Sequence, residues 1–211
     1  MRNLMRTLGK VGLFVFVLVA FALAQNSLQT QPSPAAGGPV YDLSIGYSKL
    51  AMPIPGAGRV NMNGADLSGS VDLYPRWGLT VDSNYARASN VLGTPHGGYV
   101  LTLLGGPVFY PIEHGSTRMF VHLLAGEGLV DGAAPIGGTD YRYGWLERFS
   151  YAAGGGIEHS VSGPFSIRAS GDYLRTSFYD RAGTVRPQNN FRLTMSLICR
   201  LRDRRHRTVV P

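Results

Sequence analysis

From Phe165 to Leu174 the chain alternates. Phe165, Ile167, Ala169, Gly171 and Tyr173 hold one parity, and Ser166, Arg168, Ser170 and Asp172 hold the other until Leu174 interrupts it. Successive side chains of a strand point to opposite faces, so this segment has an apolar face and a charged one. The pattern recurs about every twenty residues, which is the spacing of short strands joined by turns. Eight strands are predicted, over about 40–51, 65–74, 78–89, 98–111, 118–130, 148–160, 165–178 and 189–201. The first sets Tyr41, Leu43, Ile45 and Tyr47 against Asp42, Ser44 and Ser48. The last sets Phe191, Leu193, Met195 and Leu197 against Arg192, Thr194 and Ser196. The fourth is less regular, because Val100 and Leu104 interrupt its polar face.

The connections differ in length. Residues 74–78, 113–117 and 160–164 read as tight turns, with Pro75, Gly115, Gly163 and Pro164 supplying the needed backbone angles. The stretches 52–64, 90–97, 131–147 and 179–188 read as longer loops. Short turns on one side and longer loops on the other suit an all-β, eight-stranded antiparallel up-and-down transmembrane β-barrel with its N-terminus in the periplasm.

The chain opens with Arg2, Arg6 and Lys10, an apolar run from Val11 to Phe21, and Ala22-Leu23-Ala24. Residues 1–24 therefore read as a signal-peptide helix cleaved between Ala24 and Gln25, and the chain as exported. Residues 25–39 read as a flexible periplasmic linker, 40–201 as the barrel, and 202–211 as a basic tail.

Charge changes the picture little. The chain has 20 Lys+Arg and 13 Asp+Glu. Setting aside three basic residues of the signal, and five basic and one acidic residue from Arg200 onward, leaves 12 of each sign. The body is neutral, so the basicity is not a nucleic-acid footprint. The single cysteine, Cys199, excludes an internal disulfide. Its parity matches Leu197 and Leu201, which makes it lipid-facing filler.

Alternation alone also fits a soluble lipocalin-like barrel that buries its apolar parity. Three features favour a membrane. Only 16% of residues are charged, against about a quarter in soluble domains. Lysine is confined to Lys10 and Lys49. Aromatic residues gather near strand ends: Trp77, Phe109, Tyr110 and Phe165 by the turns, and Tyr47, Tyr85, Phe149 and Tyr179 towards the loops. The inward parity then carries Asp42, Asp66, Asp72, Asp82, His122, Glu158, Arg168, Asp172 and Arg192. In a low-dielectric wall these form an interior polar network of ion pairs, hydrogen bonds and water. Its acid excess fits either a packed plug or a narrow cation-favouring path.

Gly171-Asp172-Tyr173-Leu174-Arg175-Thr176, Gln188-Asn189-Asn190-Phe191-Arg192-Leu193 and Gly154-Gly155-Gly156 carry a resemblance. With the strand pattern over about 40–201, they resemble the OmpA-like/OmpX-like outer-membrane β-barrel domain family, in particular small acidobacterial-type members. The chain departs from that pattern by running past Leu201 instead of ending on an aromatic residue. The resemblance implies a monomeric barrel of the cell outer membrane. Its partners would be outer-membrane lipid, lipopolysaccharide and, during insertion, the barrel-assembly machinery. It implies no cofactor.

Catalysis is not expected. Glu158-His159-Ser160 suggests a hydrolase, and a barrel-embedded lipid-modifying hydrolase is the enzyme alternative. On a regular strand, however, His159 and Ser160 face opposite ways and cannot form a Ser–base pair. No metal spacing joins His96 and His114, and Gly56-Ala57-Gly58 is no phosphate loop. The expected role is structural, surface-interacting or weakly permeating, with loops 52–64 and 131–147 carrying any partner specificity. Tyr141, Tyr143 and Trp145 are read as interface residues.

Overall fold

A computed structural model describes residues 40–201, apart from 137–138 and the side chains of 133–143. The signal, its cleavage site at Ala24 and Gln25, the linker and the tail from 202 lie outside the described residues, as do the side chains of Tyr141 and Tyr143.

Eight antiparallel strands run in order around a closed ring. They are β1 (Val40–Ile54), β2 (Gly58–Tyr74), β3 (Trp77–Ala88), β4 (Gly98–His114), β5 (Thr117–Ile136), β6 (Thr139–Ser162), β7 (Phe165–Tyr179) and β8 (Val185–Arg200). β8 closes on β1, from Asp42 opposite Arg200 to Ala51 opposite Phe191. Closure leaves no strand edge, which hydrocarbon demands because it offers nothing to unpaired backbone groups. One row of register partners runs Val40, Asp72, Gly78, Val108, His122, Gly154, Asp172, Arg192 and back to β1 at Leu50. The ring thus returns ten residues along β1 from where it started, so the strands tilt against the barrel axis.

Two-residue turns at 75–76, 115–116 and 163–164 join strands at one end, called here the turn end. Gly115 and Gly163 take positive φ there, at 59° and 53°. Such angles cost glycine nothing and most residues a steric penalty. β-Bulges lie beside all three turns, at Asp72/Tyr74, Phe109/Ile112 and Ser160/Ser162.

At the opposite, loop end the strands outrun expectation. Residues 52–64 are mostly paired strand around a turn at 55–57, and β5 and β6 extend into 131–147. The reason is a switch of polarity. Near the turns the exposed parity is apolar: Ile45 is 64% exposed, Leu123 65% and Met195 71%. Towards the loops the same parity becomes polar, with Lys49, Arg59, Asn61, Asn63 and Arg87 outward. The inward parity there becomes apolar on β1 and β2, with Leu50, Met52, Ile54, Val60 and Met62 buried, while Thr176, Gln188 and Asn190 keep it mixed on β7 and β8. The strand pattern continues, but its chemical sign inverts. Val100 and Leu104, the irregular positions of the fourth predicted strand, belong to this inverted interior.

The inner apolar cluster also takes in Ala86, Leu124, Val130, Ala152, Leu174 and Phe178. The connection 89–97 folds over it and inserts Val91, which is 3% exposed. Its neighbour Leu92 sits at φ 54°, ψ 32°, a left-handed conformation unfavourable for a leucine. Thr94 secures this turn by donating its hydroxyl to the Val91 carbonyl at 2.8 Å.

Candidate functional site

The turn half of the barrel interior is charged, and its side chains fall into two groups. The first sits nearest the turns. Register sets Arg118 of β5, Glu158 of β6 and Arg168 of β7 side by side. Glu158 therefore lies between two guanidinium groups. Arg118 Nε donates to Glu158 Oε2, while Arg168 Nε donates to Glu158 Oε1 at 2.9 Å. Arg118 also spans the lumen. Its Nη2 donates to Asp42 at 2.6 Å and its Nη1 to Asp72 at 3.1 Å. Arg200 adds a bond from Nε to Asp42 Oδ1 at 3.0 Å. Three arginines thus meet three carboxylates. Aromatic faces cover the cations: the Tyr110 ring lies 4.2 Å from the Arg118 guanidinium carbon and the Phe120 ring 5.0 Å from that of Arg168.

The second group centres on Arg192, whose side chain is 1% exposed. Its Nε donates to Asp172 Oδ2 at 2.9 Å and its Nη1 to Asp82 Oδ1 at 2.6 Å. Asp66 lies 3.8 Å away. Asn84 donates to Ser48 Oγ at 2.7 Å and reaches Asp66 at 3.4 Å. His122 Nε2 shares a hydrogen with Asp172 Oδ1 at 2.7 Å. Between those two strands stands Gly154, and His122 reaches Asp172 over it. Here three carboxylates face one arginine and one histidine. A cavity of about 20 Å³ between the groups is bounded by Asp66, Asp82, His122, Arg168, Asp172 and Arg192, among others.

All nine charged or ionisable positions assigned inward from the sequence line this lumen. They do not form one network, because the structure divides them into a balanced group and an acid-rich one. His122 meets an inward aspartate, Asp172.

Three contributors were missed. Arg118 stood at the predicted edge of its strand, although it shares the parity of Phe120 and His122. Arg200 was counted with the tail, although β8 carries it to Asp42. Tyr110 was placed among the interface aromatics, but it is 1% exposed and lies under Arg118. Tyr179, likewise read as an anchor, packs partly buried against the apolar cluster. Trp77 and Phe109 do stand together on the outside, with ring centroids 4.6 Å apart. His159 is exposed and bonded to Thr117 at 2.9 Å, while Ser160 pairs with Ser166, so the tripeptide assembles no nucleophile and base.

Among the described residues no cluster of His, Cys, Asp and Glu is arranged to hold a metal ion. What this geometry supplies is a cross-linked, tightly filled lumen.

Solved structures share this architecture. Neisserial surface protein A superimposes with a TM-score of 0.60 at 10% identity, covering 77% of this chain and 99% of that one. The fold is that of the OmpA-like/OmpX-like outer-membrane β-barrels. Ail of Yersinia pestis, solved with the heparin analogue sucrose octasulfate, gives 0.54 at 18% identity over 78% of this chain and 100% of its own. OprG of Pseudomonas aeruginosa gives 0.52 at 9%, over 80% of this chain and 99% of its own. No protein-family model matches the sequence. No curated protein matches it either.

Proposed function

We propose that this chain is an outer-membrane barrel that acts as a non-conducting scaffold, presenting its loop end at the cell surface. The observation that carries this reading is the inversion of polarity along the strands. A barrel wholly in water would keep its apolar parity inward throughout, and a wholly lipid-embedded one would keep it outward. This chain does one in each half, as expected of a barrel seated in hydrocarbon by its turn half and standing in water by its loop half.

The closed interior supports the non-conducting part. A permeating ion would first meet paired charges, then a layer in which Leu50, Met62, Leu104, Leu124 and Phe178 leave only uncharged polar groups such as Thr102, Ser150, Thr176 and Asn190 to receive it. Desolvating an ion in such a layer costs several kcal/mol or more. Export by the N-terminal signal and insertion by the assembly machinery belong to the same reading, with the barrel a monomer. The likeness in fold to Neisserial surface protein A supports surface interaction as the role, and β5 and β6, of 20 and 24 residues, are the longest strands that run towards the loop end.

Membrane-extracted protein should migrate differently on gels before and after boiling, and planar-bilayer recordings should show no discrete conductance steps. Detergent-free solubility without a boiling shift would overturn the membrane reading. Uniform ion-selective steps would overturn the non-conducting one.

A further inference from the structure

On β1, β2 and β3 the polarity switch leaves Lys49, Asn63 and Arg87 as consecutive register partners, all exposed and all on the outward face. Neighbouring strands lie about 4.8 Å apart, so the three side chains stand within reach of one ligand. One step towards the turns on each strand come Tyr47, Ala65 and Tyr85, then the apolar Ile45 and Leu67 on β1 and β2. The row therefore stands where the apolar wall ends.

Its chemistry is that of a donor set. The Tyr47 hydroxyl donates to Asn63 Oδ1 at 2.6 Å, which occupies the carbonyl of that amide and leaves its NH2 to donate elsewhere. Among the described residues, neither Lys49 nor Arg87 is paired with a carboxylate. Arg87 is steadied by the Tyr99 ring, 5.4 Å from its guanidinium carbon. Along the same register row Tyr99 stands between Arg87 and Asp131, whose side chain is buried, while Glu127 and Glu147 lie on β5 and β6. Two unpaired cations flanking an oriented amide, directly above an apolar and aromatic wall, complement a phosphate group attached to acyl chains.

We propose that Lys49, Asn63 and Arg87 form a clamp for the phosphate of an anionic lipid whose chains lie against β1–β3. The proposal rests on the outer-membrane reading above. The clamp places its phosphate at the level where the barrel passes from lipid to water, and so fixes the depth of the barrel on one side.

Native mass spectrometry of the detergent-released full chain, titrated with diphosphoryl lipid A, tests it. The unaltered protein should retain one lipid at a concentration where K49Q and R87Q each retain about five-fold less, the loss expected for removing one cation near an anionic lipid surface. K49Q/R87Q should lose the discrete bound lipid. R175Q removes an outward arginine of β7 that is already bonded to Asn189, and should bind as the parent does. Equal lipid retention by K49Q/R87Q and the parent overturns the clamp, as does an equal loss in R175Q. The boiling shift separates the two readings. If K49Q/R87Q keeps the shift and loses the lipid, the clamp stands. If it keeps both, the clamp fails while the barrel survives. If the parent itself lacks the shift, the membrane reading fails. The single variants keep the test decisive should the double variant not fold.

Discussion

The two halves of this barrel use the same strands to solve opposite problems. In the turn half, outward residues such as Leu43, Ile45 and Leu67 are apolar and inward ones such as Asp42, Asp66 and Arg192 are charged. In the loop half, outward residues such as Lys49, Asn63 and Arg87 are polar, and inward ones such as Leu50, Met62 and Val100 are apolar. Side-chain alternation fixes only that two faces exist. The solvent around each half decides which face is which. The turn half fills its lumen with ion pairs because lipid claims its apolar residues. The loop half, which stands in water on the seating proposed above, packs an apolar cluster inside. The difference also sets how each half fails: charge pairs fail through a lost partner, and an apolar layer fails through a lost volume.

The largest effect is expected at Arg192. Removing it in R192M leaves Asp66, Asp82 and Asp172 buried together, with His122 as the remaining basic group on Asp172. Breaking a buried pair by deleting one partner costs about 3–5 kcal/mol. Reversible urea unfolding in phospholipid vesicles should show that loss. L104A deletes volume in the apolar layer, where Leu104 is 1% exposed, and should cost about 3 kcal/mol. The two also differ in kind, since R192M should change the pH dependence of stability and L104A should leave it as it is. If R192M costs less than L104A, or if both respond alike to pH, the distinction between a charge-held half and a volume-held half breaks.

The same distinction explains what could be read from the chain. The turn half was legible, because low charge overall and a charged parity within apolar strands point to a lipid-facing wall. Phe165 to Tyr173 and Phe191 to Leu197 needed no partner to be understood. The loop half was not legible by the same rule. There the signal changes sign, so Met52, Val60 and Met62 looked like loop residues and Val100 and Leu104 like noise. Arg118 and Arg200 were lost for a different reason. Both lie at the ends of the predicted strands 118–130 and 189–201, where a single-strand reading does not separate a lumen charge from one of the adjoining turn or tail. The pairing of Glu158 with two arginines was beyond a single-strand reading, because it depends on the registers of β5, β6 and β7 together. The acid excess shrinks once Arg118 and Arg200 are counted, and what remains lies around Arg192.

A smaller effect tests how the acid-rich group is assembled. His122 and Asp172 occupy strands on either side of β6, and their contact exists because Gly154 between them has no side chain. A Cβ there would meet the Asp172 carboxylate and the Gly171 carbonyl. G154A should therefore cost about 1–3 kcal/mol, as overpacking does, and should push the two groups apart. G171A is the matched control one strand away. Its Cβ would face outward at 3.5 Å from Leu193 Cδ2, an ordinary contact, so stability should hardly change. The sharper readout is coupling. In the parent, H122A removes a hydrogen bond to a buried carboxylate. In the G154A background that bond is already lost, so H122A should cost about 1 kcal/mol less there than in the parent. Strict additivity of the two changes would mean that the glycine is a packing detail of the wall, and that the histidine reaches its aspartate by some other route.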